Sequence, residues 1–212
     1  MKTKNQRSHS MDLNSNTIVE IPGLMVDNSI CDRVIKYFEK TKQRSWWQDL
    51  EFFRGRTLCP YEIKDSDLKK DLKAFHYRLI QEAYKLYNEF VFLEFWDIVY
   101  WAPGMSMLAH VDDYGPDLQQ RHYTAVCYLN DDYEGGETFF PEQNYKCKPD
   151  KGKTVIFPSY YYHGVNEVKL NSRYVLVLWF TRNPKELFVE LTIWEKMFNM
   201  IGKIKEKWRF KS

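Results

Sequence analysis

Residues 151–180 read KGKTVIFPSYYYHGVNEVKLNSRYVLVLWF, and the texture of this stretch decides the fold. Two runs rich in β-branched and aromatic residues, KTVIFP and RYVLVLWF, flank a segment broken by glycine and asparagine, the pattern of short strands joined by turns. His163 stands between the runs and Arg173 opens the second. Working outward toward the N-terminus, FWDIVYW (95–101), YTAVCYL (123–129) and ETFFP (137–141) repeat the texture. Residues 95–182 are therefore predicted to form an antiparallel sandwich or barrel.

Farther upstream the period changes from 2 to about 3.6. Asp27, Asn28 and Ser29 offer N-caps for a helix through Gln43, in which Ile30, Val34, Ile35 and Phe38 recur at helical spacing. A longer helix is predicted from Asp65 or Ser66 to Asn88, carried by Leu68, Leu72, Phe75, Leu79, Ala83 and Leu86. Ahead of both lies a short β-like segment, TIVEIPGLM, closed by Pro22 and Gly23. From Pro184 the chain reads as one amphipathic helix with Leu187, Leu191, Trp194, Met197, Phe198 and Ile201 on its apolar side, expected to dock on its own core. The expected organisation is a flexible lead over 1–16 and a single domain over 17–212. That domain comprises helical support over 27–94, a core over 95–182 and a C-terminal helix over 184–210.

Composition narrows the function classes. A chain of 212 residues is long enough for one sizeable core. Lys plus Arg exceeds Asp plus Glu by 31 − 29 = 2, so no overall field argues for nucleic acid or an anionic membrane. The four cysteines, Cys31, Cys59, Cys127 and Cys147, form no CxxC pair and are read as free thiols of a reducing, cytoplasmic setting. No stretch reaches the roughly 18 apolar residues of a membrane span. Oligomeric state has no signature in the sequence.

Chemistry enters at WAPGMSMLAHVDDYG (101–115). His110 and Asp112 are two apart, so on an extended strand both point to one face and suit a shared ion. An isolated HxD is common, and its weight here comes from His163, placed to supply a third ligand from a neighbouring strand. Two histidines and one carboxylate form the facial triad that leaves positions open on Fe(II). Arg173, at the start of its strand, would carry a guanidinium into the barrel and needs an anionic partner there, either a small dicarboxylate or one of the chain's own acids. His9, His76 and His122 are read as surface or packing residues.

Three segments, PGMSMLAHVDD, YLNDDYEGGETFFP and KGKTVIFPSYYYHGVNEVKLNSRYVLVLWF, resemble the prolyl 4-hydroxylase branch of the Fe(II)/2-oxoglutarate oxygenases, over about Tyr100 to Phe180. The resemblance implies an α+β fold with a double-stranded β-helix core of the jelly-roll, cupin-like kind. It implies that His110, Asp112 and His163 bind iron and form the catalytic centre, and that Arg173 holds the C5 carboxylate of 2-oxoglutarate. Tyr128 would add its hydroxyl to that carboxylate, and Thr138 and Trp179 would line the same cavity. A cosubstrate-contacting aromatic upstream of HVD falls on Tyr100 or Trp101, with Tyr100 taken as the candidate. Cosubstrates would be Fe(II), 2-oxoglutarate and O₂, with ascorbate as an accessory, and the reaction a hydroxylation, since related halogenases replace the aspartate by a small residue. The implied partner is a peptide or protein substrate containing proline. Rival readings are a cupin-like metal module without activity, which has no use for Arg173, and an oxygenase acting on a small molecule or nucleic acid. The nucleic-acid enzymes add a second arginine six positions after the first, where this chain has Trp179. Expected lids are residues 113–120 and 49–56.

Overall fold

The computed structural model describes residues 17–25, 27–41, 46–49, 54–58, 63–113 and 121–183. The lead over 1–16, the C-terminal helix over 184–210, residues 114–120 of one expected lid and 50–53 of the other lie outside these residues. In chain order the elements are β1 (Val19–Ile21), α1 (Asn28–Thr41), β2 (Trp46–Asp49), β3 (Arg54–Leu58), α2 (Ser66–Tyr87), β4 (Phe92–Trp101) and β5 (Met107–His110). There follow β6 (Arg121–Tyr128), β7 (Glu134–Gly135), β8 (Thr138–Phe140), β9 (Tyr145–Cys147), β10 (Thr154–Pro158), β11 (His163–Val165), β12 (Val168–Leu170) and β13 (Arg173–Thr181).

The fold is α+β, with helices flanking a core of two facing sheets of the double-stranded β-helix type. The larger sheet runs β1-β10-β6-β13-β4-β3-β2 and the smaller β5-β11-β8-β9, while β12 and β7 form a separate ribbon. Alternation along β13 sorts the two cores. Leu176 and Leu178 face outward and pack with Val34 and Phe38 of α1 and Leu72, Phe75 and Leu79 of α2. Val175 faces inward with Val99, Val126, Tyr128, Val155 and Phe157 against Phe140 and Val165 of the smaller sheet. Each such side chain stabilises the fold by about 1.5–3 kcal/mol relative to exposure.

Both helices begin where the capping residues place them. Asp27 accepts the Ser29 N–H at 2.8 Å ahead of α1, and Asp65 accepts the Leu68 N–H at 2.9 Å ahead of α2. Helix α2 ends at Asn88, which takes the left-handed conformation (φ 52°) and donates its N–H to the Tyr84 carbonyl. The support region is not wholly helical, however. β2 and β3 form a hairpin inside it, because β3 pairs with β4 and extends the larger sheet, a tertiary preference that local pattern does not reveal. Among the described residues no helix is long and apolar enough to cross a membrane.

His76 of α2 packs edge-on to Trp96 with ring centroids 5.0 Å apart, and its Nε2 is buried without a hydrogen-bond partner. Burial pushes its pKa down to about 3 from the ordinary value of 6.5. Between those values the unfolded chain takes up a proton that the folded chain refuses. Stability should therefore fall as the pH drops through this window, by about 1.4 kcal/mol per pH unit for this group. His76→Leu is expected to shrink the difference between urea midpoints measured at about pH 7 and about pH 4.5. An unchanged difference would place the acid sensitivity elsewhere.

Candidate active site

In the smaller sheet β5 and β11 pair so that His110 lies directly opposite His163, their rings 4.4 Å apart. Asp112 follows two residues beyond β5, and its N–H is anchored on the Ser159 carbonyl at 2.9 Å, in the turn that leads to β11. One ligand atom from each of the three lies within 4.8 Å of the others. The Nδ1 atoms of His110 and His163 bond to the carbonyls of Leu108 and Tyr161, at 3.1 and 3.0 Å. With the protons held there, both Nε2 lone pairs turn to Asp112, 3.4 Å from Oδ1 and 3.6 Å from Oδ2 respectively.

Asp112 is itself fixed. Its Oδ2 accepts the Thr124 hydroxyl at 2.6 Å and the Trp179 indole N–H at 3.0 Å. Because Thr124 spends its proton on Asp112, Ser159 must donate in the 2.9 Å contact between their hydroxyls. Burial alone would raise the Asp112 pKa, yet His163, His110 and Thr124 outweigh it and hold the group well below the usual carboxylate range. The histidines part company: burial pulls both down, but Asp112 would accept a hydrogen bond from protonated His110 and leaves that group raised, whereas His163 stays lowered. The site thus presents one carboxylate and two imidazoles to a common point, the donor set of a divalent iron centre.

Farther along the same face of β13, Arg173 is only 1% exposed. One guanidinium nitrogen donates to the Thr138 hydroxyl at 3.2 Å, while Nε is buried without a hydrogen-bond partner. Trp101 and Tyr128 place their rings 5.6 and 5.5 Å from the guanidinium carbon. Among the described residues no carboxylate pairs with it, and a buried cation left this way calls for an anionic ligand.

Residues 96–181 match the family model of the 2OG-Fe(II) oxygenase superfamily. Over these residues the chain is similar to the 2OG-Fe(II) oxygenases, and the curated relatives it resembles are prolyl hydroxylases. Prolyl 3-hydroxylase 2 of Homo sapiens and of Rattus norvegicus are each 41% identical to it over 76 residues, 32% of this chain and 11% of theirs. The match thus spans about a tenth of those relatives. Solved structures share the fold. A Pseudomonas putida prolyl-4-hydroxylase superposes with a TM-score of 0.66 at 17% identity, over 81% of this chain and 96% of that one. A viral collagen prolyl hydroxylase of Paramecium Bursaria Chlorella virus-1, in its 2OG complex, gives 0.62 at 18% identity over 80% and 98%.

Not every residue expected at this site falls where the sequence put it. Tyr100 stacks on Phe38 of α1 at 5.7 Å and leans on Tyr174, on the helix-covered side of the larger sheet. It is Trp101, paired with Arg173 in the β4–β13 register, that stands beside the guanidinium. Trp179 sits at the metal end, on Asp112, and not beside Thr138. The Tyr128 hydroxyl is given to Thr138 at 2.8 Å. Among the described residues the buried tyrosine hydroxyl without a partner is that of Tyr133, which burial pushes up to about 12 against the opposing pull of Arg173. Thr124, Ser159 and Tyr133 were missed. Inward alternation along β6 from Tyr128 would have found Thr124.

The glycine pair of YEGGETFFP carries the chain past Arg173. Both residues are left-handed, and a Cβ on Gly135 would lie 2.0 Å from the Glu167 carbonyl oxygen. Gly135→Ala should thus lower stability by about 2–4 kcal/mol, from backbone strain together with forced separation of β7 from β12. Chemical denaturation would show this, and a loss below about 1 kcal/mol would mean the ribbon yields freely.

Proposed function

We propose that this oxygenase uses Fe(II), 2-oxoglutarate and O₂ to hydroxylate a prolyl residue of a peptide or protein. The observation that carries the reading is the buried Arg173, with an unpartnered Nε, on the same sheet face that leads to the convergent His110, Asp112 and His163. A metal module without catalysis would have no use for that charge. In this reading His110, Asp112 and His163 hold iron, and Arg173 forks onto the distal carboxylate of 2-oxoglutarate with Thr138 and Tyr133 beside it. Tyr128 buttresses Thr138, and Trp101 walls the cavity. Proline as substrate is supported by what the relatives' names say they hydroxylate.

The residues fit this pair of groups by donor type and by charge. Bound together, iron and 2-oxoglutarate supply the activation of O₂, with 2-oxoglutarate leaving as succinate and CO₂ as one oxygen enters the substrate. The chain's own residues orient and shield. The two Nδ1–H bonds aim the imidazoles, Thr124 and Trp179 stop the carboxylate from rotating, and the rings of Trp101 and Tyr128 keep water from the guanidinium.

We further propose that the described residues from 17 onward belong to one domain, supported by the pairing of β1 with β10, which knits the first described strand into the core. A cytoplasmic setting is proposed on the free, buried thiols of Cys31, Cys127 and Cys147. The test is mass spectrometry of proline-containing peptides incubated with the chain, Fe(II), ascorbate and 2-oxoglutarate. A gain of one oxygen on proline together with succinate is expected. Succinate with oxygen found only on other residues would overturn the prolyl assignment, and no metal-dependent succinate would overturn the whole reading.

A further inference from the structure

Strand β13 loses register on both flanks at the same end. Against β4 the shift falls between Trp179 and Phe180, leaving Glu94 unmatched between Leu93 and Phe95. Against β6 it falls between Phe180 and Thr181, passing over His122. Bulges of this kind re-aim side chains. Here their result is that Glu94 of β4 and Arg121 of β6, on strands separated by β13, meet. The Arg121 Nε–H donates to both Glu94 carboxylate oxygens, at 3.1 and 3.3 Å, and the two side chains are 15% and 5% exposed.

The guanidinium of this pair lies over the Trp179 indole, 4.5 Å from its centroid, and Phe95, the neighbour of Glu94, stacks on the same indole at 6.2 Å and 16°. The indole N–H in turn reaches Asp112 Oδ2. An ion pair this buried gives little net stability over apolar replacements of the same volume, so its position deserves a cause other than folding energy. That cause is available in the next link, the carboxylate whose Oδ2 is saturated by Thr124 and Trp179 and whose Oδ1 is left for a metal.

We propose that Glu94, Arg121 and Trp179 form a positioning chain for Asp112. Glu94 fixes the guanidinium, the guanidinium and Phe95 fix the plane of the indole, and the indole N–H sets the rotation of the carboxylate. This inference rests on the reading of Asp112 as a metal ligand. It gives Trp179 a task distinct from lining the cosubstrate cavity, and it makes residues from three strands of the larger sheet answerable for a ligand beside the smaller one.

The test is a double-mutant cycle on the affinity of the full chain for Co(II), followed by the visible absorption of the bound ion. Trp179→Phe keeps the stacked ring and removes the N–H, and should weaken Co(II) binding by about tenfold. Arg121→Leu combined with Glu94→Gln removes both charges, so neither is left buried alone, and should weaken it by a smaller factor. Placed in the Trp179→Phe background, that pair of changes should add nothing, because its influence passes through the N–H already lost. Equal effects in both backgrounds, or none in the parent, would overturn the positioning chain while leaving the metal site standing. Failure of the unsubstituted chain to bind Co(II) would instead remove the ligand assignment and the proposed function with it. Should the pair variant not fold, Arg121→Lys takes its place in the cycle with the same reading, since it keeps a charge beside Glu94 without a flat face.

Discussion

Asp112→Asn is expected to abolish 2-oxoglutarate-dependent succinate formation while leaving the melting temperature nearly unchanged. The asparagine carbonyl can accept the same two hydrogen bonds that Thr124 and Trp179 now give to Oδ2, so no buried donor loses its acceptor. Its amide group, however, presents N–H donors where Oδ1 offered a charged lone pair, and the two facing imidazoles lose their anion. Loss of a partner one shell removed from a metal typically lowers affinity by about 10- to 100-fold, and loss of a ligand should exceed that. Asp112→Ala should be equally inactive but less stable, by about 1–3 kcal/mol for each hydrogen-bonding group left buried and unpaired. Succinate release and thermal melts on the two variants separate the chemical from the structural role. An active Asn variant would end the ligand assignment.

The second large effect is expected at Arg173. In Arg173→Met the requirement for 2-oxoglutarate should rise steeply, since removing one partner of a buried charged hydrogen bond costs about 2–5 kcal/mol, or on the order of 30- to 5,000-fold in affinity. The ligand-free protein should melt at the same temperature or higher. In the parent, Arg173 is 1% exposed with an orphaned Nε, a desolvation cost that methionine of similar length does not bear. The parent chain should gain thermal stability on adding 2-oxoglutarate and the variant should not, because only a ligand that binds the folded state shifts its melting. A ligand-induced shift of equal size in both would show that the dicarboxylate binds elsewhere.

Much of this was legible in the sequence. Runs such as RYVLVLWF and KTVIFP carry strand texture strong enough to survive any tertiary context, and the helix starts at Asp27 and Asp65 follow from side-chain capping chemistry that is local. The HxD spacing with a later histidine picked out three residues that the fold brings together, since strand geometry alone puts His110 and Asp112 on one side. What failed was parity. Tyr100 and Trp101 are adjacent, and which of them faces the cavity is decided by the pairing of Trp101 with Arg173 across two strands, a fact absent from either segment alone. The same limit hid Glu94 and Arg121, because the bulges beside Trp179 break the alternation by which inward positions are counted. Tyr128 and Tyr133 are both buried beside Arg173, and only the folded chain shows that Tyr128 spends its hydroxyl on Thr138. The β2–β3 hairpin escaped notice because an edge is completed by its neighbour.

The opposition of His110 and His163 across β5 and β11 has a consequence for assembly. Among the described residues β5 borders the smaller sheet and pairs with β11 alone, so its seating relies on few backbone bonds. A cation gripped by residues from both strands would act as a clasp on that border, and a slip of one residue would turn His110 away from its counterpart. Loading the ion and sealing the rim of the barrel are then a single equilibrium, and depletion of the metal would loosen the sheet at this border before it troubled the helices behind the larger one.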